Sequence, residues 1–287
     1  MLTAIIAALF LGVVGSRAAV VVESPGAMVA GKTIGEWSTN WWRWAVAMAP
    51  PGDPFSDRTG EFANVNQSGP VFFLAGSPGG SNSRQFAVPS GKYILIPLLV
   101  GEWSQLELGF NQTAAQIRQA AQQQANQIDS LHATLDGSTI AQATLFTHQE
   151  VSPNFNFVAV AGNLVNVPGG ASGIAVADGY FLMLAPLTPG THVLTYGGGA
   201  SAFGISISET DTITVAPPVI LTSPNLSAGH FSFSVTGLSG STAVIESSTD
   251  LSNWQVVGTV VLTGGSNDFT TVVQGEGKQF FRASAAP

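Results

Sequence analysis

The chain has 287 residues, no cysteine, 9 Lys plus Arg against 17 Asp plus Glu, and a net charge of −8. The scattered basic residues exclude a nucleic-acid binder, which needs clustered Lys and Arg. The absence of Cys excludes thiol catalysis, Fe–S clusters, Cys-ligated zinc and disulfides, so the core must supply the stability.

Met1 to Val14 is an apolar run too short to cross a bilayer, which takes about 20 residues. Ser16-Arg17-Ala18 follows it and fits a small-x-small cleavage rule, so residues 1–18 are expected to be a signal peptide cut after Ala18. The expected location is secreted, periplasmic or cell-surface, with no transmembrane segment in the mature chain. Arg17 leaves with the signal. Only 9% of the residues are charged, against about 25% in typical domains. The surface is therefore largely Ser, Thr, Asn, Gln and Gly, with few charged residues to guard strand edges.

Residues 19–216 are expected to form a β-rich main domain with two helices. Thr33-Ile-Gly-Glu36 is a capping box, and a helix is predicted over 34–48. Trp37, Trp41, Trp44 and Met48 fall on one face of it, and Pro50-Pro51 ends it. At that spacing the tryptophans read as core; the alternative is an aromatic platform for sugar rings. Trp42, off the stripe, is the one expected to be exposed and is the candidate ligand contact. Val71–Ala75 and Tyr93–Val100 read as buried strands, and Ser77–Asn82 and Pro89–Lys92 as turns. A second helix is predicted over 112–130. Asp136-Gly137 signals a tight hairpin. Ala175–Ala185, Thr191–Tyr196 and Ile205–Val215 read as strands, and Gly197–Ser201 as a glycine-rich loop.

Pro217-Pro218 marks a linker. Residues 219–287 show about six short strands at regular spacing, which predicts a small Greek-key sandwich of immunoglobulin or fibronectin type. The expected fold is thus mainly β: a β-sandwich domain with two α-helices, followed by a small β-sandwich module.

Gly35-Glu-Trp-Ser-x-x-Trp-Trp-x-Trp44, Asp57-Arg-Thr-Gly60, Gln67-Ser-Gly-Pro-Val-Phe-Phe-Leu-Ala-Gly76, Pro89-Ser-Gly-Lys92, Leu135-Asp-Gly137, Asp178-Gly-Tyr-Phe-Leu-Met-Leu184 and Pro189-Gly-Thr-His192 lie in order along residues 30–215. Together they resemble a family of exported bacterial proteins without assigned function. That resemblance implies cysteines near positions 63 and 87, where this chain has Ala63 and Ala87. Val244 to Trp254 and Gln279-Phe-Phe-Arg282 resemble a C-terminal β-module carried by many exported bacterial proteins. It implies an extracellular setting and nothing about chemistry.

Asp57, Arg84, Glu102, Asp136, Asp178 and His192 are polar residues set in apolar or turn segments. Asp57, Arg84, Glu102, Asp178 and, with less weight, His192 are the candidate catalytic cluster. Paired carboxylates could act as acid and base in glycoside cleavage; turn caps and structural ion pairs are the competing reading. The four His residues lack metal-ligand spacing, and no G-x-S-x-G elbow, phosphate loop or calcium loop is present. No cofactor or metal is expected. The leading expectation is a non-catalytic exported protein that binds glycan or other cell-envelope material. A polysaccharide hydrolase or lyase is the second, and a structural surface or matrix protein the third.

Overall fold

The computed structural model describes residues 21–77, 79–272 and 278–285. The expected signal peptide lies outside the described residues.

In chain order the main body begins with a short hairpin, β1 (Met28–Val29) and β2 (Lys32–Thr33), which feeds α1 (Ile34–Val46). The capping box forms as expected. Glu36 N donates to Thr33 Oγ1 at 3.2 Å, and Thr33 N donates to Glu36 Oε2 at 2.8 Å. Then come β3 (Val71–Phe73), β4 (Gly80–Val88), β5 (Tyr93–Ser104), the single-turn α2 (Gln105–Leu108), α3 (Ala114–Ala125), β6 (Ser130–Leu135) and β7 (Ser138–Ile140). The single-turn α4 (Gln142–Leu145), β8 (Gln149–Val151), β9 (Phe155–Val158), β10 (Ser172–Leu184), β11 (Gly190–Ala200) and β12 (Ile205–Val215) complete it. The Asp136-Gly137 hairpin forms with both residues at positive φ, 53° and 82°, as a two-residue primed turn requires.

Two mixed sheets result, ordered β3-β5-β10-β8 with β9 also on β10, and β4-β12-β11-β6-β7. Each contains one parallel pair, β3 with β5 and β4 with β12. Inward residues of both sheets share one apolar core: Phe72, Ile94, Ile96 and Leu182 from the first, Phe86, Leu135, Leu194 and Ile213 from the second. The other face of the first sheet packs on α1 through Trp37, Trp41, Trp42, Trp44, Phe73, Leu95 and Phe181. The layers therefore run α1, first sheet, second sheet. α3 covers the start of β10 on the second-sheet side, where Ile117 and Ala121 meet Val176.

Four departures from expectation have local causes. α3 stops at Ala125, because Leu131 alternates with exposed neighbours as a strand residue rather than continuing the helical face. α2 and α4, one turn each, raise the number of α-helices from the expected two. β4 begins at Gly80, inside the expected turn. Gly197 to Ala200 is strand, not loop; Gly197 to Gly199 pair on both edges with β12 and β6, and Ala200 with β12 alone.

Beyond Val215 the chain forms β13 (Ile220–Ser227), β14 (His230–Thr236), β15 (Thr242–Ser248), β16 (Gln255–Val261), β17 (Ser266–Val272) and β18 (Phe280–Ala285). They make two three-stranded sheets, β13-β14-β17 and β16-β15-β18, with a core of Phe233, Val235, Ala243, Ile245, Val260 and Leu262. The Asp250 carboxylate accepts from Ser252 N and Asn253 N, closing the turn after β15. Those bonds hold its pKa well below the usual carboxylate range. Arg282 lies 4.2 Å over the Trp254 ring and pairs with Glu246 at 2.7 Å. The residues that carry the C-terminal resemblance are thus accounted for by local folding.

Candidate functional site

The five candidate catalytic residues do not meet in one pocket. Asp57 closes its own loop: its Oδ1 accepts from Thr59 N, Thr59 Oγ1 and Gly60 N, and its Oδ2 from Phe62 N at 2.8 Å. Burial works to raise its pKa, but the bonds from Phe62, Thr59 and Gly60 outweigh it and hold the carboxyl low. The loop it shapes covers the free edge of β4, with Gln85 N donating to Thr59 O.

Arg84 lies inside the sandwich. Its Nε and Nη2 donate to the two oxygens of Asp211 at 2.8 and 2.9 Å, a bidentate fork. Nη2 also donates to Ala75 O, and the Tyr196 hydroxyl lies 2.9 Å away and itself donates to Ala75 O. Glu209 Oε2 stands 3.9 Å from Nε. Burial opposes the guanidinium charge, but Tyr196, Asp211 and Glu209 overcome it and raise the Arg84 pKa. All four side chains are buried. The ion pairs tie β4 to β12 within the second sheet, and only the Arg84 and Tyr196 bonds to Ala75 O reach across to the first.

Glu102 and Asp178 lie on neighbouring strands but face opposite ways. In the β5–β10 ladder Glu102 pairs with Ala177, whereas Asp178 pairs with Gly101. Paired residues share a face and successive residues alternate. Ala177 belongs to the α1-side core, so Glu102 faces α1. Gly101 faces α3: a Cβ built there would sit 2.2 Å from Gln124 Oε1. The sheet therefore separates the two carboxylates, and they cannot act as an acid–base pair across one cleft. Glu102 is buried, and neither of its oxygens has a hydrogen-bond partner among the described residues. Burial, helped by the charge of Glu107, pushes its pKa up to about 9. Asp178 accepts one bond from Gln149 Nε2 at 3.0 Å, and burial raises its pKa too.

His192 is tied to the hairpin tip. Its Nδ1 lies 2.8 Å from Asp136 Oδ2, and its Nε2 lies 2.8 Å from Thr188 O. Val193 N donates to Asp136 Oδ1, and Asp136 N donates back to Val193 O. β10 and β11 belong to different sheets, so the Pro186–Gly190 segment crosses between layers and His192 is remote from Asp178 in topology.

Trp42 corrects the exposure expected of it. Its ring packs edge-on against Trp41, 5.0 Å between centroids, and is buried with the α1-side core. Two adjacent tryptophans on a helix covering a sheet both find apolar surface, because the sheet is wider than one stripe. Trp37, Trp41 and Trp44 are buried as expected. Each anchors its indole N–H on a backbone carbonyl, of Val29, Leu74 and Val65 respectively, at 2.7 to 3.0 Å.

The exposed rim of this tryptophan layer forms a groove of about 550 Å³. One wall is the outer side of α1 with Asn40 and Arg43, preceded by Lys32; the other is the loop before β3 with Asn66, Ser68 and Gly69. Trp37, Trp44 and Phe73 lie in its floor, each more than nine-tenths buried, and contribute only ring edges. Lys32 Nζ sits 4.9 Å over the Trp37 ring. Arg43 donates Nε to Asn156 O at 2.9 Å and lies 5.8 Å over Phe155. Lys92 reaches the rim and donates to Gly69 O. A second hollow of about 680 Å³ lies between α3 and the start of β12, lined by Trp103, Gln124, Phe203 and Ile205.

Sequence reasoning missed Asn40, Arg43, Lys32 and Asn66 as a set. The helical spacing of Asn40 and Arg43 beside Trp37 and Trp44 was readable; their meeting with the 66–69 loop was not. Among the described residues no three His, Asp or Glu are placed to hold a metal ion, and no helix is long and apolar enough to cross a membrane. Comparison with protein-family models and with curated proteins finds no match to this chain.

Proposed function

We propose that this is an exported, non-catalytic binding protein that holds a glycan or other cell-envelope polymer in the groove beside α1, with residues 219–287 as an appended immunoglobulin- or fibronectin-like module. The observation that carries the reading is the polar wall of the groove, the side chains of Asn40 and Asn66 facing each other over a floor of largely buried Trp37, Trp44 and Phe73. The amides suit the hydroxyls of a sugar, and the ring edges in the floor add a small apolar contact. Glu102 and Asp178 lie on opposite faces of one sheet, which counts against these two acting as the paired acids of a hydrolase.

The test is retention of the secreted chain on affinity gels cast with a panel of polysaccharides. Its N-terminus should lie near Ala19. At least one polymer should retard it, and Asn40→Ala with Asn66→Ala should weaken that retention roughly tenfold, the worth of about one good hydrogen bond. Retention by no polymer, or retention untouched by the two substitutions, would overturn the reading.

A further inference from the structure

We infer that the polymer held in the α1 groove is acidic, a polysaccharide whose uronate carboxylates meet Lys32 at one end and Arg43 at the other. The inference rests on the binding reading above and adds the charge class of the ligand.

The chain as a whole is acidic, with 17 Asp plus Glu against 9 Lys plus Arg. The groove reverses that balance. Lys32 and Arg43 line it, Lys92 stands at its rim, and no Asp or Glu is among the lining residues. Neither Lys32 nor Arg43 has a carboxylate within ion-pair distance among the described residues. Glu36 feels Lys32 only weakly, because its carboxylate folds back onto Thr33 N and Oγ1 to cap α1. The positive charge in the groove is therefore left for something outside the chain.

Arg43 is also held for use. Its Nε is fixed on Asn156 O, while its terminal nitrogens have no hydrogen-bond partner among the described residues. A guanidinium anchored in this way offers a planar fork to a carboxylate at little further entropic cost. Lys32 lies over Trp37, near the start of α1, whereas Arg43 is fixed on Asn156 O and lies over Phe155, near its end. The two cations therefore serve separate sugars of one chain rather than a single compact anion. Nucleic acid is disfavoured by the acidity of the protein outside the groove.

The experiment uses the full mature chain. Its binding to polygalacturonate and to alginate is measured by affinity electrophoresis and calorimetry, each against its esterified form, which keeps the sugars and removes the charge. The wild type should bind the acidic forms about tenfold or more tighter than the esters, about one charge-assisted pair. Added salt should erode that difference. Lys32→Gln with Arg43→Gln should abolish the preference and leave the weak binding of the esters unchanged; the single Lys32→Gln variant should halve it on a logarithmic scale. Equal binding of acid and ester, lost on Asn40→Ala, would overturn the acidic inference and keep the groove as a glycan site. A preference that survives the double substitution would place the charge recognition elsewhere and overturn it as well. Binding to neither form of any polymer would remove both readings.

Discussion

Asp211 and Glu102 are both buried acids on long strands of the main body, one in each sheet. Asp211 faces a bidentate Arg84; near Glu102 there is only the Ser104 hydroxyl, which donates to Glu107. Burial pushes the pKa of both upward. For Asp211 the Arg84 guanidinium opposes that rise, whereas for Glu102 nothing of comparable strength does, and the Glu107 charge adds to it. A buried acid can remain charged only where a donor fork meets it; otherwise it keeps its proton. The first arrangement uses a cation to tie β4 to β12 inside the core, with one further bond to Ala75 O. The second leaves an acid that keeps its proton in the fold, at a cost that grows as pH rises above the ordinary carboxylate range.

The largest test of this contrast removes the cation. Arg84→Ala leaves Asp211 and Glu209 buried without their counter-charge and should cost roughly 3–5 kcal/mol in urea unfolding. Asp211→Asn in the same background should restore part of the loss. A cost under about 1 kcal/mol would mean that the network contributes little to the stability of the fold.

The second test uses pH. Above the ordinary value of 4.5 the unfolded chain has lost the Glu102 proton, while the folded chain keeps it up to about pH 9. The folded state binds more protons in that window, so stability falls as pH rises through it, by up to about 1.4 kcal/mol per pH unit. Asp178, raised in the same direction, adds to the fall. Glu102→Gln should flatten the slope between those limits by the Glu102 share. An unchanged slope in the variant would show that Glu102 is ionised in the folded protein.

The smallest effect is expected from Asp178→Asn. An amide oxygen can accept from Gln149 Nε2 as the carboxyl does, and the one opposite charge acting on Asp178, that of Arg118, is a minor influence on it. The change should lie within about 1 kcal/mol near pH 6. A loss of several kcal/mol would show that Asp178 is a charged partner, closer in kind to Asp211 than to Glu102.

Local chemistry was legible in the sequence. The Thr33–Glu36 capping box, the Asp136-Gly137 turn, the buried tryptophan stripe and all six strands after Pro218 follow from spacing within a few residues. Pairings across long separations were not. Arg84 meets Asp211 only because β4 and β12 run parallel, 127 positions apart, and no local pattern announces that. The same limit hid the opposite facing of Glu102 and Asp178, which depends on β5 pairing with β10 in one register rather than the next. The glycines at 197–199 misled in the other direction: they read as a flexible loop, yet two neighbouring strands hold them extended.

Those glycines also determine how one sheet can move over the other. Tyr196 reaches across the interface to the Ala75 carbonyl, and two residues later, on the same face, Gly198 has no side chain at all. A Cβ there would come within 3.4 Å of the Leu99 Cβ of the facing sheet and closer still to Ser130 O. A long tooth thus stands beside a notch that the opposite layer fills. Sliding the layers by one residue pair would drive the tooth into the filled notch, so the interface resists shear along its strands as well as separation across them.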